Sequence, residues 1–258
     1  MKKAKASDNN HTVIKHIAKR YHALSYLPQL QELVSLIHPL EDYMSLPKFE
    51  LHQRINNHLL DQYHGEQAIK YALFKAFKLK PVIAAFEINV NNSRLDFLTI
   101  NGVTTGYEIK SSLDTLQKLS KQSTDYLKAF EYNNIVIDER HLKNARQIVP
   151  EHYGIITIHR GKKKIIEPGA YNEKIDAEFQ LTLLTKKELI FSFGKWQLVD
   201  ILRENSPESI NIKFKEALKT RYQYRWNFVK CRAEQILPLD IQFFFNANIE
   251  PKHIYFQS

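Results

Sequence analysis

Apolar residues recur at helical spacing through the first quarter of the chain. The positions that show it are Val13, Ile14, Ile17 and Ala18, followed by Leu30, Leu33, Val34 and Ile37. This periodicity predicts amphipathic helices, and the prolines at 28, 39 and 47 divide the segment into short ones. We therefore expect an N-terminal helical extension over residues 1–63. The polar residues 1–11 are expected to be disordered.

From residue 64 the pattern changes, and short strand-like runs alternate with helical ones. The predicted elements are a helix over 65–78, a strand over 82–90, a hairpin over 94–109, a helix over 113–130, a strand over 134–138, a helix over 141–149 and a strand over 153–159. This order predicts an α/β core with a mixed central sheet flanked by helices. A strand that follows a helix is expected to pair in parallel through a crossover.

The remaining chain predicts a third segment. Pro168 and Gly169 mark a boundary, so the core is assigned to residues 64–168 and a mainly helical region to 169–258. Within that region Thr185 and Glu188 have the spacing of a capping box. Basic and aromatic residues alternate over 219–232, which is typical either of a packed helix or of a surface that stacks on single strands.

The hairpin carries the candidate chemistry. Asn101-Gly102 between two apolar-rich runs is a strong hairpin signal. A two-residue loop would put Asp96 and Glu108 on opposite faces. A three-residue loop, Ile100-Asn101-Gly102 with Gly102 left-handed, would set Asp96 opposite Gly106 and make Glu108 its diagonal neighbour on the same face. Two carboxylates so placed can bind one hard cation such as magnesium.

Beside these acids the sequence places a lysine. Lys110 follows Glu108 by two residues, so both point to the same face of the sheet. Its ammonium group would face an anionic substrate. The alternative is an ordinary hairpin with a solvated charged face.

Asp96, eleven intervening residues and then Glu108-Ile109-Lys110 resembles the active-site signature of the PD-(D/E)XK nuclease superfamily. Gln122 and Tyr126, four residues apart on the following helix, resemble the Gln-x-x-x-Tyr motif of its RecB-type branch. Residues 65–158 are most similar to a small, little-characterised bacterial family in that superfamily. One departure is Arg94-Leu95, which precedes Asp96 where the name-giving pattern has proline.

The resemblance implies a restriction-endonuclease-like core and a site for Mg²⁺ or Mn²⁺. Asp96 and Glu108 would bind the ion, with the Ile109 carbonyl as a further ligand. The first helix of such cores often adds an acid, which would be Glu66, and Glu87 is the rival for that place. Gln122 and Tyr126 would position the substrate.

Composition agrees with a polyanionic partner. The chain has 37 Lys and Arg against 28 Asp and Glu, a net charge of +9. Its single cysteine excludes a disulfide framework. The N-terminus lacks the apolar region of a secretory signal, and no run reaches the roughly 20 apolar residues that span a bilayer. We therefore expect a cytoplasmic protein without membrane association.

These observations predict a metal-dependent phosphodiesterase that acts on DNA. Two other classes stay open: a nucleic-acid-binding module that has the fold but does not cleave, and an adaptor whose flanking helices bind a protein. The sequence does not distinguish DNA from RNA or an endonuclease from an exonuclease, and it does not set the oligomeric state.

Overall fold

The computed structural model describes residues 12–37, 42–63, 65–159 and 162–256. The disorder expected for residues 1–11 lies outside this part of the chain. The helices are α1 (12–20), α2 (Leu27–Ile37), α3 (Lys48–Gln62), α4 (Glu66–Phe77), α5 (Leu119–Ala129), α6 (Leu142–Ile148), α7 (Ala177–Thr182), α8 (Lys186–Phe193), α9 (Leu198–Glu204), α10 (Pro207–Cys231), α11 (Ile241–Ala247) and α12 (Pro251–Tyr255). The strands are β1 (Ile83–Val90), β2 (Ser93–Asn101), β3 (Val103–Lys110), β4 (Tyr132–Ile137), β5 (Gly154–His159) and β6 (Lys162–Glu167).

The chain forms two compact units, Met1–Tyr71 with Phe228–Ser258, and Ala72–Asn227. The division falls within α4 and α10. The segments expected from the sequence, 1–63, 64–168 and 169–258, stay a prediction. None of the described helices is long and apolar enough to cross a membrane.

The first unit is helical and has its own apolar core. Residues from α1, α2 and α3 fill it, as their helical spacing predicts: Ile14, Ile17, Leu30, Leu33, Val34, Leu51, Ile55 and Leu59. A buried polar network lies in the same unit. The Asp240 carboxylate accepts hydrogen bonds from the hydroxyls of Tyr21 (2.9 Å) and Tyr255 (2.8 Å).

The second unit contains a six-stranded mixed sheet in the order β1-β2-β3-β4-β5-β6. The first three strands form an antiparallel meander, β4 and β5 add in parallel, and β6 closes the sheet as an antiparallel edge. An aromatic layer of Phe77, Phe86, Phe97, Tyr107 and Trp226 covers part of it. Helix α5 packs on β1, β2 and β4.

The predicted fold class is therefore confirmed: a mixed α/β sheet flanked by helices, with helices at both ends of the chain. The parallel crossover into β4 is present, as is the capping box, in which Thr185 and Glu188 bond each other's backbone N–H. The restriction-endonuclease-like assignment within this class belongs to the proposal below.

The predicted hairpin register is wrong. Gly102 is left-handed as expected, with φ 73°, but Asn101 pairs with Val103 and Leu98, rather than Asp96, pairs with Gly106. Gly102 alone therefore separates the two strands, and the turn is tighter than the three-residue loop that was predicted. Continuing this register places Asp96 opposite Glu108 instead of diagonal to it.

The predicted start of the second core helix is also wrong. Helix α5 begins at Leu119 rather than near residue 113. The Asp114 carboxylate accepts hydrogen bonds from the backbone N–H (2.7 Å) and the hydroxyl (2.6 Å) of Ser111. Such local bonds compete with helix formation, so residues 111–118 form turns instead.

Candidate active site

Glu108 is the central residue of the candidate site. It lies on β3, and its side chain is buried between Lys110 and Tyr126. Lys110 forms an ion pair with one carboxylate oxygen, and the Tyr126 hydroxyl donates to the other at 2.9 Å. Burial raises the pKa of Glu108 above its ordinary value, although Lys110 and Tyr126 offset part of that effect. The result is a buried acid whose charge depends on a neighbouring cation.

Tyr126 and Gln122 reach this acid from α5, where i, i+4 spacing puts them on one face. The Gln122 amide donates to the Tyr126 hydroxyl at 3.5 Å. The other amide atom of Gln122, Oε1, is buried and has no hydrogen-bond partner in the described part of the chain. The two residues singled out in the sequence are thus in contact with each other, and Tyr126 contacts Glu108 directly.

Asp96 approaches the same tyrosine from β2. Burial raises the pKa of Tyr126, and the negative charges of Glu108 and Asp96 raise it further. One oxygen of the buried Asp96 carboxylate accepts the Ile109 backbone N–H at 2.6 Å. The structure therefore brings together Asp96, Glu108, Lys110, Gln122 and Tyr126. The metal-ligand role predicted for the Ile109 carbonyl stays a prediction.

Glu87 on β1 is the acid that comes close to Asp96. One carboxylate oxygen of each residue lies within 4.8 Å of the other, a separation at which both could bind one ion. Glu87 has φ 57°, an uncommon left-handed conformation for a residue other than glycine. The β1–β2 ladder pairs Phe86 with Phe97 and Ile88 with Leu95, and it skips Glu87 and Asp96 between them. This interruption lets the two acids leave the regular pleat.

Glu66, the other candidate for an additional acid, lies in the first turn of α4 and belongs to the first unit. Its carboxylate pairs with Lys70, one helical turn later. Its predicted role as a metal ligand stays a prediction.

Arg94 is the residue that sequence reasoning missed. It appeared there only as a departure from the superfamily pattern, whereas in the structure its guanidinium forms an ion pair with Glu87. The signal that points to it is its place two residues before Asp96 on the same strand. The sequence could not predict its contact with Glu87 on β1, because the register between two strands cannot be derived from one strand alone.

The fold and the site define an α/β protein with buried acids and a lysine gathered at the meander of its sheet. A family model described as bacteriophage P4 protein cII matches residues 60–244, and the chain belongs to that family. No curated protein matches the sequence. Among solved structures, a protein of unknown function from Silicibacter pomeroyi matches with a TM-score of 0.35 and 14% identity, over 52% of this chain and 84% of that one.

Proposed function

We propose that this protein is a metal-dependent nuclease that hydrolyses phosphodiester bonds in DNA, with a site of the PD-(D/E)XK type. The observation that carries the proposal is the buried Glu108–Lys110 pair beside Asp96, at the positions of the superfamily signature. The mixed sheet supports it, because a meander followed by a parallel strand supplies the three neighbouring strands that such a site needs.

The donor set fits a hard cation. Asp96, Glu87 and Glu108 offer only carboxylate oxygens, which magnesium and manganese prefer over sulfur or imidazole ligands. Asp96 and Glu87 lie close enough to hold one ion, and Glu108 would join them, as the resemblance to the superfamily signature implies. When bound, the ion would polarise a phosphoryl oxygen and lower the pKa of a water molecule.

Lys110 acts on the transition state. Its side chain is only 12% exposed, so its charge is poorly screened by water. Glu108 holds the Lys110 ammonium group in place. The ammonium group orients the attacking water and stabilises the negative charge that develops on the phosphoryl group.

Tyr126 and Gln122 position the other groups. The Tyr126 hydroxyl fixes one oxygen of Glu108, which leaves that carboxylate few alternative orientations. Gln122 donates to the Tyr126 hydroxyl and thereby supports the orientation of that group, and its predicted role in positioning the substrate belongs to the same proposal.

DNA is the proposed partner because the net charge of +9 favours a polyanion. A cytoplasmic location belongs to the same proposal, since free magnesium and nucleic acid are both present there. RNA is also a polyanion, so it is included as a substrate in the cleavage assay.

The test is a cleavage assay with plasmid, linear duplex, single-stranded DNA and RNA, each with Mg²⁺, with Mn²⁺ and with a chelator. Glu108→Gln is compared with Glu131→Gln, because Glu131 is also a buried acid paired with a lysine, Lys215, in the same unit. We expect metal-dependent cleavage of DNA that Glu108→Gln abolishes and Glu131→Gln retains.

Other outcomes separate the alternatives. Tight DNA binding without cleavage under any metal condition would indicate the silent binding module. A stable protein partner together with no DNA binding at physiological salt would indicate the adaptor.

A further inference from the structure

Arg94 occupies the place of a cation at the proposed metal site. Its guanidinium Nε pairs with a carboxylate oxygen of Glu87, the acid that lies within 4.8 Å of Asp96. The Arg94 side chain is 67% exposed, whereas that of Glu87 is 9% exposed. One partner of this ion pair is therefore held inside the protein, and the other extends into solvent at the mouth of the site.

We propose that Arg94 neutralises Glu87 in the metal-free protein and that metal binding transfers its guanidinium to a phosphate of the substrate. The inference rests on the proposed function and adds a phosphate-binding residue to it. Arg94 would thereby couple occupation of the metal site to DNA binding.

The charges require one of the two cations to leave. A divalent ion bound to Glu87 and Asp96 would lie within a few ångströms of the guanidinium, and like charges at that distance repel. Glu87 has little freedom to follow Arg94, because its backbone lies in the left-handed region and its side chain is only 9% exposed. Arg94 is the mobile partner, since an exposed arginine on a strand has several open rotamers.

A phosphate is the ligand that suits the released group. The guanidinium presents donors in a planar fork that matches two phosphate oxygens, which an ammonium group cannot reproduce. A phosphodiester whose phosphoryl oxygen faces the metal would place its neighbouring phosphates at the mouth of the site, where Arg94 extends.

Linkage makes the proposal measurable. If metal binding frees Arg94 for DNA, the ion must raise DNA affinity, and DNA must raise ion affinity by the same factor. Removing Arg94 should therefore tighten ion binding to the free protein and weaken the coupling between ion and DNA. Loss of a residue with only a structural role would not combine tighter ion binding with weaker coupling between ion and DNA.

The test combines manganese titration by calorimetry with DNA affinity measured by anisotropy, with and without Mn²⁺. All proteins carry Lys110→Ala, which slows cleavage, and the anisotropy is recorded before the remaining activity has cut the DNA. We expect Arg94→Ala to bind Mn²⁺ about 2- to 5-fold more tightly without DNA, the range for loss of an exposed competing ion pair. We expect the gain in DNA affinity on adding Mn²⁺ to fall by about 5-fold or more.

Two further variants sharpen the result. Arg94→Lys keeps the competing charge but lacks the planar fork, so its Mn²⁺ affinity should match the parent while its coupling falls. Arg146→Ala is the matched control, because Arg146 is also an exposed arginine that pairs with a glutamate, Glu167 on the far edge strand. It should change neither quantity.

The outcomes separate this inference from the function beneath it. If the parent binds no Mn²⁺, the proposed nuclease site is wrong, and the role of Arg94 is wrong with it. If the parent binds Mn²⁺ and Arg94→Ala shows weaker ion binding or unchanged coupling, only the role of Arg94 is overturned.

Discussion

At the scale of single residues, two buried glutamate–lysine pairs differ in the direction in which the pKa of the glutamate is shifted. Glu108 with Lys110 and Glu131 with Lys215 have nearly the same side-chain exposure, 2% and 12% against 4% and 13%. Burial would raise the pKa of both acids, yet only Glu108 has a raised pKa, whereas donors from Lys215, Thr104 and Asn211 hold that of Glu131 below its ordinary value. A buried acid whose pKa is raised is a candidate for a functional site, whereas a buried acid held ionised by several donors is typical of a structural ion pair.

Tyr126→Phe tests how the protein tunes this acid. The change keeps the ring but removes a hydrogen bond that lowers the pKa of Glu108, so that pKa should rise further. A metal ligand must be deprotonated, and a higher pKa means that less carboxylate is ionised at a given pH. We expect Mn²⁺ affinity to fall by about 10-fold or more, since a hydrogen bond to a charged group contributes roughly 1.5–3 kcal/mol, with a larger loss as the pH is lowered.

The measurement is manganese calorimetry at a series of pH values. Tyr107→Phe is the control, because Tyr107 is a buried tyrosine on β3, the strand that carries Glu108, and lies within the aromatic layer. Equal manganese affinity in Tyr126→Phe and the parent at every pH would mean that Tyr126 does not tune the acid.

At the scale of elements, the buried Asp240 network joins helices of the first unit. Burial raises the pKa of Asp240 from 3.8 to about 6, although the hydroxyls of Tyr255 and Tyr21 partly offset it. A raised pKa means that the folded state favours the protonated acid. The stability that Asp240 contributes is therefore complete below pH 3.8 and is lost as the pH rises through about 6.

Asp240→Asn should remove this dependence while keeping an oxygen for the two tyrosines. We expect the unfolding free energy of the variant relative to the parent to increase between pH 4 and pH 7, with a limit of about 3 kcal/mol set by the pKa change. His52, whose pKa burial lowers to about 4, acts in the opposite direction in both proteins, so it cancels in the difference. Denaturant unfolding of both proteins at pH 4 and pH 7 measures this difference in unfolding free energy. A difference that does not change with pH would contradict the raised pKa of Asp240.

The helices and strands could be predicted where the signal lies in neighbouring residues of the sequence. The prediction failed where the structure depends on contacts between residues that are not neighbours in the sequence. Apolar alternation located β1, the Asn101-Gly102 signal located the hairpin, and helical spacing located α4. The start of α5 was missed because Asp114 bonds Ser111 instead of beginning a helix. The approach of Glu87 to Asp96 was hidden, since it depends on a left-handed backbone and an interrupted ladder that no residue pattern announces.

At the scale of the whole molecule, the net charge of +9 predicts salt-sensitive DNA binding. Each phosphate contact releases counterions from the duplex, so the slope of log affinity against log salt should steepen by about 0.9 per contact. A titration of a labelled duplex between low and moderate salt measures it, and 3 to 5 contacts would give a slope of about −3 to −4.5. A flat response would favour the adaptor.

The most direct test of the account is the single-turnover cleavage rate of Lys110→Ala beside Lys215→Ala. Both changes remove a largely buried lysine, 12% or 13% exposed, from a buried glutamate in the same unit, so general damage to folding should affect them alike. We predict that Lys110→Ala slows DNA cleavage by about 10²- to 10³-fold, the loss of one transition-state charge, and that it retains Mn²⁺ binding. Lys215→Ala should cleave at nearly the parent rate. Equal rates in the two variants would contradict the assignment of the active site to Glu108 and Lys110.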